Sequence, residues 1–225
     1  QYSEQLKAEG KKIIILLNPS IKDNFIKNIF NIQKVKQGMP YYQCTGDKYL
    51  DDYDKLPHHL LESKVNKIIK GRYEFYGYQK FANILETIQR NVRDRYEPKD
   101  HNRMINKKIK ETFSNTVMII DEVHNIKEGA DLKVLPPLLE KVVSLAVNMK
   151  LLLLSATPMF DKPSEIGLTM NVLRLPHPFP TGSHFNDMFL SIKKKKSGNI
   201  SYKAKNMTKF KKMIQGHVSY YRGAP

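Results

Sequence analysis

The sequence predicts an α/β protein, a mostly parallel sheet with helices on both faces. Two observations predict it: short apolar runs such as IIILL at residues 13–17 and LLLL at 151–154 are bounded by turn residues, and they alternate with helix-length segments. With 225 residues, 40% hydrophobic and 27% charged, the chain has the composition of one or two globular domains and the length to bury a sizeable core.

Taken in order, residues 12–17 read as the first strand. The segment SIKDNFIKNIFNIQKV, residues 20–35, places Ile21, Phe25, Ile29 and Ile32 on one stripe and predicts a helix with Ser20 as its N-cap. Residues 34–70 are aromatic and polar and are punctuated by Gly38, Pro40, Gly46 and Pro57, which predicts an irregular excursion with a short helix over 60–69. Tyr73–Tyr76 is the second strand, and YQKFANILETIQRNV at 78–92 returns to helical spacing through Phe81, Leu85, Ile88 and Val92. Thr116–Ile120 is the third strand, LPPLLEKVVSLAVNM at 135–149 a helix after a Pro-Pro start, and residues 150–154 the fourth strand. After Leu173, three prolines within five residues require a loop, followed by a short helix and then the lysine run 193–196.

Lysine plus arginine number 38 against 22 acids, a formal net charge of +16, which suits a polyanionic partner or an anionic membrane surface. The longest apolar runs fall far short of the roughly 20 residues that span a bilayer, and no basic helix has the apolar face of an interfacial anchor. The N-terminus has no secretory apolar segment and Cys44 is the single cysteine, so an intracellular, reducing setting is expected. The opening reads as the polar tail of a helix and YYRGAP stops without a closing element, so the expectation is a piece of a longer polypeptide, its sheet incomplete at the N-terminus.

The stretch TVMIIDEVHNIKE, residues 116–128, runs four apolar residues straight into two carboxylates. Ligands bind at the C-terminal edge of an open parallel sheet. A carboxylate placed there holds magnesium, usually through water, against the phosphates of a nucleotide, and its neighbour orients the attacking water. The same letters also read as the acidic first turn of a helix. The second signal is KLLLLSATP: thirty-four positions after Asp121, another apolar strand ends in Ser155 and Thr157. The two strand ends should lie side by side.

DEVH followed by SATP resembles motifs II and III of the superfamily 2 helicases and translocases. Upstream, IIILLNPSIKDNFIKNIF looks like the strand and loop of motif Ia, and YEFYGYQKFANIL like the strand and helix around motif Ib. Downstream, GHVSYYRGAP is similar to the start of the second motor lobe in Swi/Snf-like translocases and poxvirus-type transcription ATPases. MFDKPSEIGLTMNVLRLPHPFP most resembles the helicase-like early transcription factor and nucleoside triphosphatase proteins of large cytoplasmic DNA viruses.

The resemblance implies a RecA-like fold, ATP hydrolysis with Mg2+, and movement along nucleic acid. It implies a partial first lobe over 1–192, and a basic connector with the start of the second lobe, near Arg222, over 193–225. Asp121 would be the magnesium-linked acid, Glu122 the catalytic acid, and His124 the link to the second lobe or motif III. Ser155 and Thr157 would couple hydrolysis to motion; their plainer role is capping after a strand. The family's Gly-Lys-Ser/Thr phosphate loop has no counterpart here, since AEGKK at 8–12 lacks the hydroxyl and precedes a strand. As written, the chain should bind ATP poorly and hydrolyse none, the activity belonging to its parent.

Candidate nucleic-acid contacts are Pro19, Ser20, Lys22 and Lys80, though any single lysine also reads as part of a solvated face. The run 193–196 reads equally as a grip on DNA and as a mobile loop. Tyr41, Tyr42, Tyr220 and Tyr221 are expected in core or lobe contacts before base stacking. His58 and His59 lack companion ligands, and Ser155 shows no partnered base. The function expected is a motor lobe acting on DNA in viral transcription, with transcription subunits as partners, in a cytoplasmic viral factory or the virion. An RNA helicase is the alternative within that class. A helicase-like binding or scaffold module that has lost its nucleotide pocket is the alternative outside it.

Overall fold

The computed structural model describes residues 5–6, 8–51, 53–126, 135–159, 162–194 and 200–220. The chain divides into two compact units, Gln1–Ser155 and Ala156–Pro225.

The first unit is built on β1 (Lys12–Leu16). A 3-10 turn at Pro19–Ile21 leads into α1 (Lys22–Ile29) and α2 (Ile32–Lys36), then come α3 (His58–Arg72), β2 (Tyr73–Tyr76), α4 (Tyr78–Arg93), α5 (His101–Phe113), β3 (Thr116–Ile120), α6 (Leu135–Leu145) and β4 (Lys150–Leu153). The strands form a parallel sheet in the order β2-β1-β3-β4. The architecture is α/β, as the apolar runs predicted, and RecA-like, as the resemblance implied, with the first and fourth strands each ending one residue early.

Side-chain parity distributes the core over both faces. Ile13, Ile15, Leu17 and Val117 point to the face covered by α1, where Phe25 meets Phe75 edge-on at 5.9 Å. The intervening Ile14, Leu16, Met118 and Ile120 are fully buried on the other face. There Phe81 of α4 sits against Tyr76 of β2 at 6.3 Å and Phe113 of α5 at 5.5 Å. Covering both faces explains why these strands read as unbroken apolar runs.

The stripe across residues 20–35 is not one helix. Asn18, not Ser20, caps the turn, its Oδ1 accepting from Ser20 N at 3.1 Å, because Pro19 occupies the first helical position, where it has no N–H to lose. The chain then leaves the helix at Phe30 and Asn31, which are extended. Buried Gln43 holds the break: its Oε1 accepts from Asn31 N at 2.8 Å and its Nε2 donates to Asn31 O at 3.0 Å, while Thr45 Oγ1 donates to Ile29 O at 2.7 Å. Backbone groups freed from the helix are thereby paired inside.

The helix expected at 60–69 runs the full length of α3, with Leu61, Val65 and Ile69 buried, and the one expected at 135–149 stops at Leu145. Helix α5 was not anticipated, although Ile105, Ile109 and Phe113 are its buried ridge. Tyr41 and Tyr42 are 63% and 72% exposed and Tyr220 is exposed as well, so none of the three is in the core, while Tyr221 lies outside the described residues.

Two asparagines in left-handed conformation, Asn115 (φ 55°) and Asn148 (φ 56°), precede β3 and β4. They are joined by Asn148 Nδ2 donating to Asn115 Oδ1 at 2.9 Å, and Val147 N donates to Ser114 Oγ at 3.0 Å. This pairing aligns the starts of the two strands, so their ends emerge together.

The second unit contains α7 (Glu165–Val172), α8 (Gly182–Phe189), β5 (Leu190–Lys194), β6 (Ile200–Ala204) and α9 (Met207–Ile214), with β5 and β6 antiparallel. The proline loop and short helix are as expected; the hairpin and α9 were not foreseen. The lysine run begins inside β5 instead of in a loop, and Lys195 and Lys196 lie outside the described residues. The core is Met170, Leu175, Phe179, Phe185 and Phe189. Asn171 clamps the proline loop, accepting from Phe179 N at 2.7 Å and donating to Phe179 O at 2.9 Å. Gly167 lies beneath it, where an added Cβ would meet Pro180 O at 2.7 Å, so only glycine fits.

Candidate functional site

Strands β3 and β4 are parallel neighbours, and their ladder continues beyond both: Leu154 N donates to Ile120 O at 2.8 Å and Val123 N to Leu154 O at 3.0 Å. Asp121 and Ser155 therefore follow adjacent C-terminal ends, on the edge of the sheet where open α/β folds bind ligands. Glu122 takes a left-handed backbone (φ 50°, ψ 51°), and a 3-10 turn over Val123–Asn125 follows. A non-glycine residue in that region costs about 1–2 kcal/mol, and the reversal it makes turns His124 back toward the end of β4.

His124 Nδ1 lies 2.9 Å from Ser155 Oγ and 3.2 Å from Glu122 Oε2. Oε2 is hidden from solvent and makes no hydrogen bond of good geometry, even though the Glu122 side chain as a whole is 42% exposed. The histidine's shorter contact is with serine, and the carboxylate retains acceptor capacity. A base thus stands within reach of Ser155, which the sequence pattern did not suggest. Serine and acid meet the same ring nitrogen, however, whereas a hydrolase triad needs them on opposite nitrogens, so the group is not built for nucleophilic catalysis by Ser155.

The residue that sequence reasoning missed is Tyr78, the first of α4. Its hydroxyl donates to the main-chain oxygen of Asp121 and lies 3.3 Å from that of Glu122. Burial, then the charges of Asp121 and Glu122, push this phenol up to about 12, with Asn125 pulling weakly the other way. Tyr78 is therefore a proton donor at any physiological pH, and it fixes the carbonyls on either side of the left-handed turn. No signal in the sequence links it to the acids, because the contact runs from a hydroxyl to main chain across more than forty residues.

A pH dependence follows. Burial, followed by Glu74, also raises Tyr76 to about 12, against an ordinary value of 10. Below pH 10 both phenols are protonated folded or unfolded, and their contribution to stability is complete; between 10 and 12 the unfolded chain ionises first and stability falls. Tyr78→Phe should flatten that alkaline decline, measured as the urea midpoint against pH.

Beside this turn, a groove of about 620 Å³ opens at the ends of β1 and β2 and the start of α4, lined by Asn18, Pro19, Lys22, Tyr78, Gln79 and Lys80 among others. Lys22 Nζ stands 5.9 Å from the Phe75 ring and Lys80 Nζ 5.7 Å from that of Tyr76. Gly77 permits the close approach that shapes the groove, since an added Cβ would lie 2.9 Å from Pro19 Cγ. Of the four residues selected from sequence, three line the groove. Ser20 does not, and its Oγ donates to Asn18 Oδ1 at 3.0 Å.

Thr157 belongs to the second unit, two residues past Ser155, and Arg222 lies outside the described residues. Among the described residues no group of three or more His, Cys, Asp or Glu is arranged to hold a metal, and no helix is long and apolar enough to cross a membrane.

The fold and this edge define a RecA-like α/β unit whose acids, histidine and serine converge at the mouth of the sheet. The chain is similar to proteins of large DNA viruses that carry provisional helicase names. A protein of Acanthamoeba polyphaga mimivirus named as an ATP-dependent RNA helicase is 32% identical over 224 residues, covering 95% of this chain and 33% of that protein. A helicase by name from Invertebrate iridescent virus 3 is 28% identical over 94% of this chain and 17% of its own length. A second mimivirus protein named as an ATP-dependent RNA helicase is 23% identical over the whole chain and 19% of its own length. The chain spans a third or less of each of these relatives. No family model matches the chain, and no solved structure gives a significant match.

Proposed function

We propose that this chain is the first motor lobe of a superfamily 2 helicase or translocase, in which ATP hydrolysis drives movement along nucleic acid. The observation that carries the reading is the convergence of Asp121, Glu122, His124 and Ser155 at the ends of adjacent parallel strands. Similarity along nearly the whole chain to viral proteins with helicase names supports it.

The residues fit magnesium better than they fit a whole nucleotide. Magnesium takes one or two carboxylates, keeps several waters and completes its shell with substrate phosphates, so it needs no cage of protein ligands. Asp121 would hold it through water. When bound, Mg-ATP supplies the phosphoanhydride and the neutralisation of its own phosphate charge. Glu122, whose side chain is partly open to water although one carboxylate oxygen is hidden beside His124, orients the attacking water. Tyr78 keeps the turn carrying both acids in place. His124, Ser155 and, in the second unit, Thr157 couple hydrolysis to motion. The phosphate cradle itself has no counterpart in these residues and would come from elsewhere in the parent protein.

Pro19, Lys22 and Lys80 would face the nucleic-acid backbone in the groove. DNA is the track favoured, in viral transcription within a cytoplasmic factory or the virion, alongside transcription subunits and a second lobe beginning near Arg222. RNA is the second reading, favoured by the names of the mimivirus relatives. Strand displacement by the complete motor on matched DNA and RNA duplexes tests both. Faster displacement of DNA supports the first, displacement of RNA alone the second, and ATP-independent binding with neither would favour a scaffold. In the same assay Ser155→Ala should slow displacement by about tenfold or more, a change of ~1.4 kcal/mol, while ATP turnover stays near that of the unmodified motor. Equal loss of both would remove the coupling role.

A further inference from the structure

Residues 188–225 carry nine lysines and one arginine and neither aspartate nor glutamate, a formal +10 of the whole chain's +16. Some lysines of the first unit meet acids: Lys11 pairs with Glu9, Lys12 with Glu74, and Lys107 and Lys108 with Glu111. In the second unit Lys203, Lys209, Lys211 and Lys212 are exposed and Lys205 is partly so. The described structure places no carboxylate within ion-pair distance of these five. A solvated surface ordinarily intersperses both signs; the lysines of β6 and α9 present a single sign on a folded scaffold.

The scaffold is well defined on its inner side. Phe210 of α9 meets Phe179 at 5.5 Å and Phe189 at 5.4 Å, and Met213 and Ile214 pack on the same cluster. Lys205 N donates to Phe189 O at 2.8 Å, and Asn206, left-handed at φ 54°, donates through its side chain to Met188 O at 2.7 Å. These bonds fix the turn between β6 and α9.

This inner packing decides among polyanionic partners. A basic amphipathic helix binds a membrane by burying its apolar face in the interface. The apolar face of α9 is already used against the phenylalanines, so only charge remains for a partner. Lys211 and Lys212 also lie in the last turn of α9, where its dipole favours cations, but that does not account for Lys203, Lys205 or Lys209.

We propose that β6 and α9 form a sequence-independent grip on the phosphate backbone of nucleic acid, made by residues other than those lining the Lys22 and Lys80 groove. It rests on the motor reading only in choosing nucleic acid over other polyanions.

The test measures fluorescence anisotropy of labelled oligothymidylate and oligouridylate against the 225-residue chain as KCl is raised. The triple variant Lys209→Gln, Lys211→Gln, Lys212→Gln keeps helix propensity and leaves the buried face untouched. It should weaken binding roughly tenfold at low salt and make the slope of log affinity against log salt shallower by about 2, from three lost phosphate contacts on a single strand. The double variant Lys22→Gln, Lys80→Gln is the comparison. Loss in the triple variant but not in the double upholds the grip and removes the groove assignment; loss in both upholds both. Loss in the double alone overturns the grip and leaves the groove reading intact. Failure of the unmodified chain to bind either oligonucleotide overturns the proposal, as does displacement of bound oligonucleotide by vesicles of phosphatidylcholine and phosphatidylserine.

Discussion

Replacing Glu122 with glutamine should lower ATP turnover of the complete motor by roughly 10²–10⁴-fold, the range over which a positioned general base acts, with nucleic-acid binding and thermal unfolding unchanged. Glutamine keeps the length of the side chain, and the left-handed turn is held by main-chain bonds and by Tyr78, not by the carboxylate. What is lost is a carboxylate that can accept a proton, on a side chain that is 42% exposed. A purely structural role predicts the opposite pattern: altered unfolding and little change in turnover. Asp121→Asn should also lower turnover, but with a raised requirement for magnesium, which would separate the metal-holding role proposed for Asp121 from the water-orienting role proposed for Glu122. Unchanged phosphate release in Glu122→Gln would remove the catalytic assignment.

What could be read from sequence depended on how local the cause was. The four strands were legible because burial on both faces makes them continuous apolar runs, and burial needs no partner to be seen. Asp121 and Ser155 could be placed together because each directly follows such a run, with Glu122 one residue further on. The break at Phe30 and Asn31 was not legible: residues 20–35 have an unbroken helical stripe, and what ends α1 is Gln43 and Thr45, more than ten residues away. Helix α5 failed differently. Its ridge of Ile105, Ile109 and Phe113 is narrow and embedded in lysine and asparagine, yet the four-residue spacing was there to find. In the second unit, the hairpin was hidden because β5 ends in lysines instead of alternating apolar residues. Tyr78 reads from sequence as a helix-start aromatic, and only the parallel register brings it under the acidic turn.

Phe81→Ala should destabilise the first unit by about 3–5 kcal/mol, the range for removing a fully buried aromatic ring. The side chain has no exposed surface, and its ring is held between Tyr76 on the sheet and Phe113 on α5, so the space it leaves has rigid walls on two sides. For a unit of this size each kcal/mol moves the melting temperature by about 2–4 °C, so the shift should exceed roughly 6 °C. Function should suffer before the fold does. Phe81 lies one turn along α4 from Tyr78, and the same face of the helix that seats the ring also brings the Tyr78 hydroxyl to the Asp121 carbonyl. Loosening α4 therefore frees the acidic turn and widens the groove at Lys80 in one step. Phe81→Leu, which keeps most of the volume, should cost about 1.5 kcal/mol or less and retain turnover. Urea denaturation and ATP turnover measured together on the two variants test the link: if Phe81→Ala lost its stability yet kept full turnover, α4 would not be what holds the acidic turn in the proposed motor.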